Sequence, residues 1–271
     1  MLLRDLGAIL DWQSRAVARR HALVFRRTWK TAFFPSATEP VFYLFAFGLG
    51  LGSLVPPIAI GDGRTVPFVS WYAAGLLAYA SFTTPFFEGL YAAYIRMFYQ
   101  KTWDGMLATQ VEIRHVVWGE ILWCSMRGAA NTTVVALVLA AMDSLGVVQL
   151  HAPSLLLAPP LALLCGMAFG AFGLLFTAIV PSIDHMNYPT FLVGIPLGMA
   201  SETFFPLAPE HPALRVLLEL NPIRHLARTL RGLLLGGLEP RTPLLLAATT
   251  VFFLALFASL AHRLVRKRIV G

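Results

Sequence analysis

Charge is scarce in this chain. Only 13% of its 271 residues are charged, against about a quarter in a soluble domain. Lysine is nearly missing, at Lys30, Lys101 and Lys267 alone, and none follows the glycines of a GxxxxGK[ST] loop. ATP binding through that motif is therefore excluded. There is no HExxH, no GxSxG and no carboxylate-rich DDxxD-like cluster. The two cysteines, Cys124 and Cys165, lie in apolar stretches without a CxxC or Cys/His neighbour. They read as small hydrophobes, with no disulfide framework and no metal site. The first 35 residues carry too many arginines for a secretory leader, and none is expected.

What is present is apolar. Hydrophobic residues make up 57% of the chain, and the mean hydropathy is +0.69. They cluster in runs too long for a soluble core. Six runs, at about 37–55, 68–90, 115–142, 154–180, 188–206 and 243–262, approach the ~20 residues that cross a bilayer as a helix. The fold class expected is an all-α membrane protein with six transmembrane helices. Residues 37–271 would form its permease domain, after an N-terminal helix within 1–36.

The basic residues set an orientation. Seven precede residue 31, three lie in the loop at 91–114 and four fall in the last nine residues. With both termini inside, the cytoplasmic segments hold 14 basic residues against 6 outside, with Arg127 within the third span. That bias places both ends in the cytoplasm. Five of the six outside come from the segment 207–241. A basic chain can also bind nucleic acid, but the apolar runs between these clusters argue against it.

Residues 12–34 read as an amphipathic helix. Ala18, Ala22, Phe25, Trp29 and Phe33 share one face, and Arg15, Arg19, Arg26 and Lys30 another. Such a helix suits the membrane interface or the surface of a partner. The segment Pro35 to Pro40 reads as a break before the first span, and 56–67 as a polar loop. The loop at 91–114 mixes aromatic and charged residues and reads as a short helix offering a surface. In 207–241, two short helical pieces are expected. The second is capped by Asn221, has Pro222 at its first position and ends at Gly236-Gly237. Neither piece can span, so a re-entrant pair dipping into the outer leaflet is expected. Gly166/Gly170 and Gly194/Gly198 permit close helix contact, within a chain or between copies.

Charges within spans are costly and informative. Glu120 and Arg127, seven apart, share a face of the third span. They would pair with each other, pair with another helix, or stand along a transport path. Glu39 and Glu88 lie near the cytoplasmic ends of spans, where exposure is cheap, and Glu202 lies near the outer end of the fifth. Arg224, Arg228 and Arg231 form a basic stripe beside His225, fit either for an anionic headgroup or for snorkelling to lipid phosphates. Asp184-His185 is a weak acid–base pair, and the sequon at Asn131 lies inside a span.

The most specific stretch runs Ser201-Glu202-Thr203-Phe204-Phe205-Pro206-Leu207, then Pro212, then Leu220-Asn221-Pro222-Ile223-Arg224-His225 and Arg231. With the N-terminal helix, six spans, helical loop and re-entrant pair, it resembles the permease of a type-2 ABC transporter. Within that family it looks most like permeases exporting nodulation lipo-oligosaccharides, polysaccharides or drugs. Glu202 stands where a glycine is common. The resemblance implies a non-catalytic bacterial inner-membrane subunit that pairs with a second permease copy and two ATPase subunits. ATP and magnesium would sit on those subunits, with no cofactor on this chain. It also implies export of an amphipathic substrate along a path lined by the first, second and fifth spans. The 91–110 loop would dock on the ATPase through Arg96, Lys101, Trp103 and Asp104. Residues 12–34 would flank it, using Arg15, Arg19, Arg26, Trp29 and Lys30 at the membrane. The rival readings are a secondary transporter or channel acting alone, which lacks paired carboxylates here, and a lipid-modifying transferase built on His225 and the arginine stripe.

Overall fold

The computed structural model describes residues 7–9, 11–52, 54–60, 63–207 and 211–270, and most of them are helical. The first long helix, α1 (Trp12–Tyr43), continues into a wide π-type turn, Leu44–Leu51. A small hairpin follows, with β1 (Ile58–Ala59) antiparallel to β2 (Thr65–Val66). It lies inside the segment expected to be a plain polar loop. Next come α2 (Phe68–Phe87), two wide turns at Glu88–Ala92 and Ile95–Tyr99, and the short α3 (Thr102–Leu107). The longest central helix is α4 (Ile113–Ser144), followed by a 3-10 turn (Ala152–Leu157) leading into α5 (Ala158–Ile179). Then α6 (Asn187–Pro189), a wide turn (Thr190–Gly194) and α7 (Ile195–Met199) succeed one another without a gap. The chain closes with α8 (Pro212–Glu219), α9 (Pro222–Leu235) and α10 (Arg241–Val270).

Among the described residues, three helices are long and apolar enough to cross a membrane: Ile113–Ser144, Ala152–Ile179 and Arg241–Val270. They coincide with the third, fourth and sixth expected spans. The expected break between Pro35 and Pro40 is corrected, because α1 runs through both prolines. A proline removes one N–H and crowds the carbonyl four residues back. The helix absorbs this by widening just downstream of Pro40, into the turn at Leu44. The same pairing recurs after Pro85, before Glu88–Ala92, and after Pro189, before Thr190–Gly194. Such wide turns leave backbone carbonyls to be satisfied by other groups. At Glu88–Ala92, the Thr177 hydroxyl of α5 lies 2.8 Å from both the Gly89 and the Leu90 carbonyl. Side chains of Phe33 and Glu39 lie outside the described residues.

The core sits where α2 packs against α4 and α5, with α10 along α5. Phe82 stacks on Phe86 and meets Phe169 edge-on, and Phe86 contacts Phe172. The small residues act inside this chain. A Cβ on Gly170 would lie 2.5 Å from the Cys124 Cβ, and one on Gly198 would lie 2.7 Å from the Tyr79 ring. Gly170→Leu should therefore force α4 and α5 apart and cost about 1–3 kcal/mol, read as a lower melting temperature in detergent. Gly105→Ala, which meets nothing within 4 Å, should leave the melting temperature within a degree or two of wild type. Equal stability of the two variants would contradict this packing.

Candidate functional site

The scarce charges gather at the two ends of α2. At one end, Glu120 on α4 is fully buried. A buried carboxylate must be paired and hydrogen-bonded to be tolerated. Arg96, from the wide turn after α2, donates to it through Nε at 3.1 Å and Nη2 at 2.6 Å. Trp103 of α3 donates its indole N–H to Glu120 Oε1 at 2.9 Å. His21 of α1 places Nε2 3.1 Å from the same oxygen. Arg96 Nη1 also donates to Glu88 at 2.7 Å, and Trp123 Nε1 donates to Glu88 at 2.7 Å. Burial by itself would lower the Arg96 pKa, but the Glu120 and Glu88 carboxylates outweigh it and hold it above the ordinary arginine value. Four segments, α1, the turn after α2, α3 and α4, are thus pinned by one carboxylate.

This revises several expectations. Glu120 does not pair with Arg127; Arg127 instead lies 3.9 Å from Glu88 and 4.3 Å over the Phe25 ring. Arg96 and Trp103, expected on a docking surface, are buried, and Trp103 is fully so. Their polar atoms face Glu120, because a buried carboxylate takes every nearby donor. Lys101 and Asp104 are the exposed pair of the four, 3.9 Å apart with side chains more than 60% accessible. Lys101 takes a left-handed backbone, φ 52°, which turns the chain into α3. On α1, Arg15, Arg19, Arg26, Trp29 and Lys30 are all exposed, while Ser14, Val17, Ala18 and His21 turn inward. His21, Glu88 and Trp123 belong to the site although the sequence did not single out their roles. The signal available for His21 was its place on the stripe of Ser14, Val17 and Ala18 at three- and four-residue spacing.

At the other end of α2 stands a second knot. Asn221 caps α9, its Oδ1 accepting from the Ile223 N–H at 3.0 Å, and Gly236 ends it with φ 90°. These bounds are those read from the sequence. The stripe it carries turns inward instead of standing open to a headgroup. Arg224 Nε donates to Glu202 at 2.8 Å and its Nη1 to Glu219 at 2.7 Å. Arg228 donates to both oxygens of Glu202, at 2.9 and 3.0 Å. Arg231 lies 3.6 Å over the Trp71 ring and donates to the carbonyls of Trp71, Glu202 and Thr203. His225 is fully buried with Nε2 2.7 Å from the Glu219 carbonyl. Only Arg228 of the four keeps appreciable exposure, at 37% of its side chain. It borders a cavity of about 420 Å³ with Glu202, Trp71 and Arg231. Charged groups this deep in an apolar protein are more stable paired with each other than with a distant headgroup. Glu202 itself has φ 61°, a left-handed backbone that favours glycine.

Of the C-terminal bases, Arg268 donates to the Thr177 and Val180 carbonyls at 3.1 and 2.7 Å, at the end of α5. A cation there complements the helix dipole. Among the described residues, no group of three or more His, Cys, Asp or Glu could hold a metal.

The architecture defines a helical, multi-pass membrane protein whose charges serve to fasten segments at the two ends of its bundle. The comparisons with known proteins say which one: the ABC-2 type transporter family model matches residues 13–235, and the chain belongs to that family. It is similar to Nodulation protein J of Neorhizobium galegae, 29% identical over 264 residues, 97% of this chain and 95% of the relative. It is similar also to Nodulation protein J of Rhizobium leguminosarum bv. trifolii, 32% identical over 230 residues, 85% of this chain and 83% of the relative. A third, from Rhizobium meliloti strain 1021, is 31% identical over 226 residues. The chain is a transport permease of a bacterial membrane.

Two substitutions test the knots. Glu120→Gln removes the buried partner that takes two donors from Arg96 and leaves it Glu88 alone, and should destabilise the protein by about 2–4 kcal/mol. Replacing Arg96 and Glu120 together by methionine should recover most of the lost melting temperature. Glu202→Gly relieves a left-handed backbone worth about 1–2 kcal/mol but leaves Arg224 and Arg228 with Glu219 as their one remaining hydrogen-bonded carboxylate among the described residues. It should lower the melting temperature, and a rise would show that backbone strain outweighs the ion pairs.

Proposed function

We propose that the chain is the permease half of an ATP-driven exporter whose ATPase is a separate protein on the cytoplasmic face. Six spans, both termini in the cytoplasm and a re-entrant pair at α8 and α9 complete that reading. The pair α8–α9 would dip into the outer leaflet, with Glu202 and the arginines fixing it to the start of α2. A second copy of the permease would complete the path. The exported molecule would be amphipathic, of the lipo-oligosaccharide, glycolipid, polysaccharide or drug class.

The observation that carries the reading is the seating of the 91–114 loop. Its outer face presents Lys101 and Asp104 to a partner, while its inner face is locked to α4 through Arg96 and Trp103. A push on α3 from an ATPase would therefore be passed to α4 and α1 together. ATP can shift the permease between states only if the ATPase binds those states with different affinity. The wide turns before and at Arg96 mark where the backbone can change register.

Replacing Lys101 and Asp104 together should uncouple ATP hydrolysis from transport. The check is substrate-stimulated ATPase activity of the reconstituted complex. The double variant is expected to lose the stimulation while the permease still folds, since both side chains are exposed. Unchanged stimulation would remove the loop from the coupling path. Co-purification of the chain with an ATPase, and hydrolysis only in its company, separates this reading from a transporter acting alone.

A further inference from the structure

A cavity of about 370 Å³ lies between α1, the wide turns after α2, and α4, close to the smaller end of volumes that hold a small ligand. Its rim carries the exposed Arg20, Val24 and Thr28 of α1, and its floor the buried His21, Arg96 and Trp123. Glu88 lines it too, and its Oε1 already accepts from Arg96 and Trp123 at 2.7 Å.

Arg127 is the group this arrangement leaves over. Its side chain is only 19% exposed. Among the described residues it makes no hydrogen bond. Its ionic neighbour among the described residues, Glu88 Oε2, stands at 3.9 Å, too far for a hydrogen bond. Its guanidinium carbon lies 4.3 Å from the Phe25 ring centroid, and its fork of N–H donors is left without an acceptor among the described residues. Within a membrane span, a cation with unused donors calls for an anion. Around the cavity the three arginines Arg20, Arg96 and Arg127 outnumber the two carboxylates Glu88 and Glu120. Arginine matches phosphate oxygens with paired donors.

We propose that this cavity binds the phosphate of an anionic glycerophospholipid from the leaflet on the side of the 91–114 loop. Arg127 holds the phosphate from within, and Arg20 closes over it from the rim. The exposed apolar side chains Leu23 and Val24 of α1 lie beside the acyl chains. A lipid seated there fills the space between α1 and the bundle next to the Glu120 knot. The proposal concerns this chain alone and stands apart from the ATPase partnership.

Binding to the full-length protein in detergent is the test, with dioctanoyl phosphatidylglycerol as the probe and dioctanoyl phosphatidylcholine and inorganic phosphate for comparison. Phosphatidylglycerol should bind saturably and more tightly than phosphatidylcholine, whose phosphate is already neutralised. Arg127→Gln should weaken it roughly tenfold, the scale of one charge-assisted contact, and Arg127→Lys less. Arg20→Gln, on an exposed residue that does not endanger folding, should weaken it as well. Lys267→Gln, an exposed base elsewhere, should have no effect. Wild-type affinity in both Arg127→Gln and Arg20→Gln overturns the proposal, as does an equal loss in Lys267→Gln. Displacement of the lipid by millimolar inorganic phosphate overturns the lipid assignment in favour of a free anion.

Discussion

Glu120 is a carboxylate with no access to water, set near the start of α4 at one end of an apolar helix packing. Removing such a group from water costs several kcal/mol unless donors replace the lost hydration. Arg96 and Trp103 supply them from two other segments, and His21 of α1 lies against the same carboxylate at 3.1 Å. The requirement to satisfy one carboxylate therefore fixes where α1 lies, how the chain turns after α2 and which way α3 faces. The same requirement hides Arg96 and Trp103 and leaves Lys101 and Asp104 as the outward face. A loop that would otherwise be free to move by itself becomes part of the base of α4.

The opposite end repeats the solution with a different backbone. Glu202 joins Arg224 and Arg228 of α9, while Arg231 clasps Trp71 at the start of α2. Between the two knots the bundle is held by aromatic rings such as Phe82, Phe86 and Phe169 and by glycines that admit close backbone approach. Apolar packing of this kind slides at modest cost, whereas an ion-paired cluster in a low-dielectric setting keeps its partners. Rigid ends joined by an adaptable middle is a mechanical arrangement suited to a permease that rocks between two states.

The sequence disclosed the spans at 115–142, 154–180 and 243–262 because long apolar runs leave few alternatives in a bilayer. It disclosed α9 to the residue, since Asn221, Pro222 and Gly236 act through local backbone chemistry. The unusual place of Glu202, where a glycine is common, matches its left-handed backbone. What stayed hidden depends on partners distant in sequence. Spacing put Glu120 and Arg127 on one face of α4, but the carboxylate takes Arg96, 24 residues away, whose guanidinium reaches it with two donors. A stripe at helical spacing reads alike whether it faces lipid or protein, so the inward turn of Arg224 and Arg231 could not be told from their numbers. Two prolines close together suggested a break at 35–40, and the backbone answered with a wider turn after them.

The central claim is that the 91–114 loop and α4 move as one body. Spin labels at position 104, on the exposed face of α3, and at position 137, exposed on α4, would measure it in the assembled transporter. The two native cysteines are buried and should not compete for label. Across the nucleotide-free, ATP-bound and post-hydrolysis states, the account predicts an unchanged distance within one chain, while distances between the two permease copies shift. A change of several ångströms within the chain on ATP binding would show that the loop moves independently of α4 and would contradict the account.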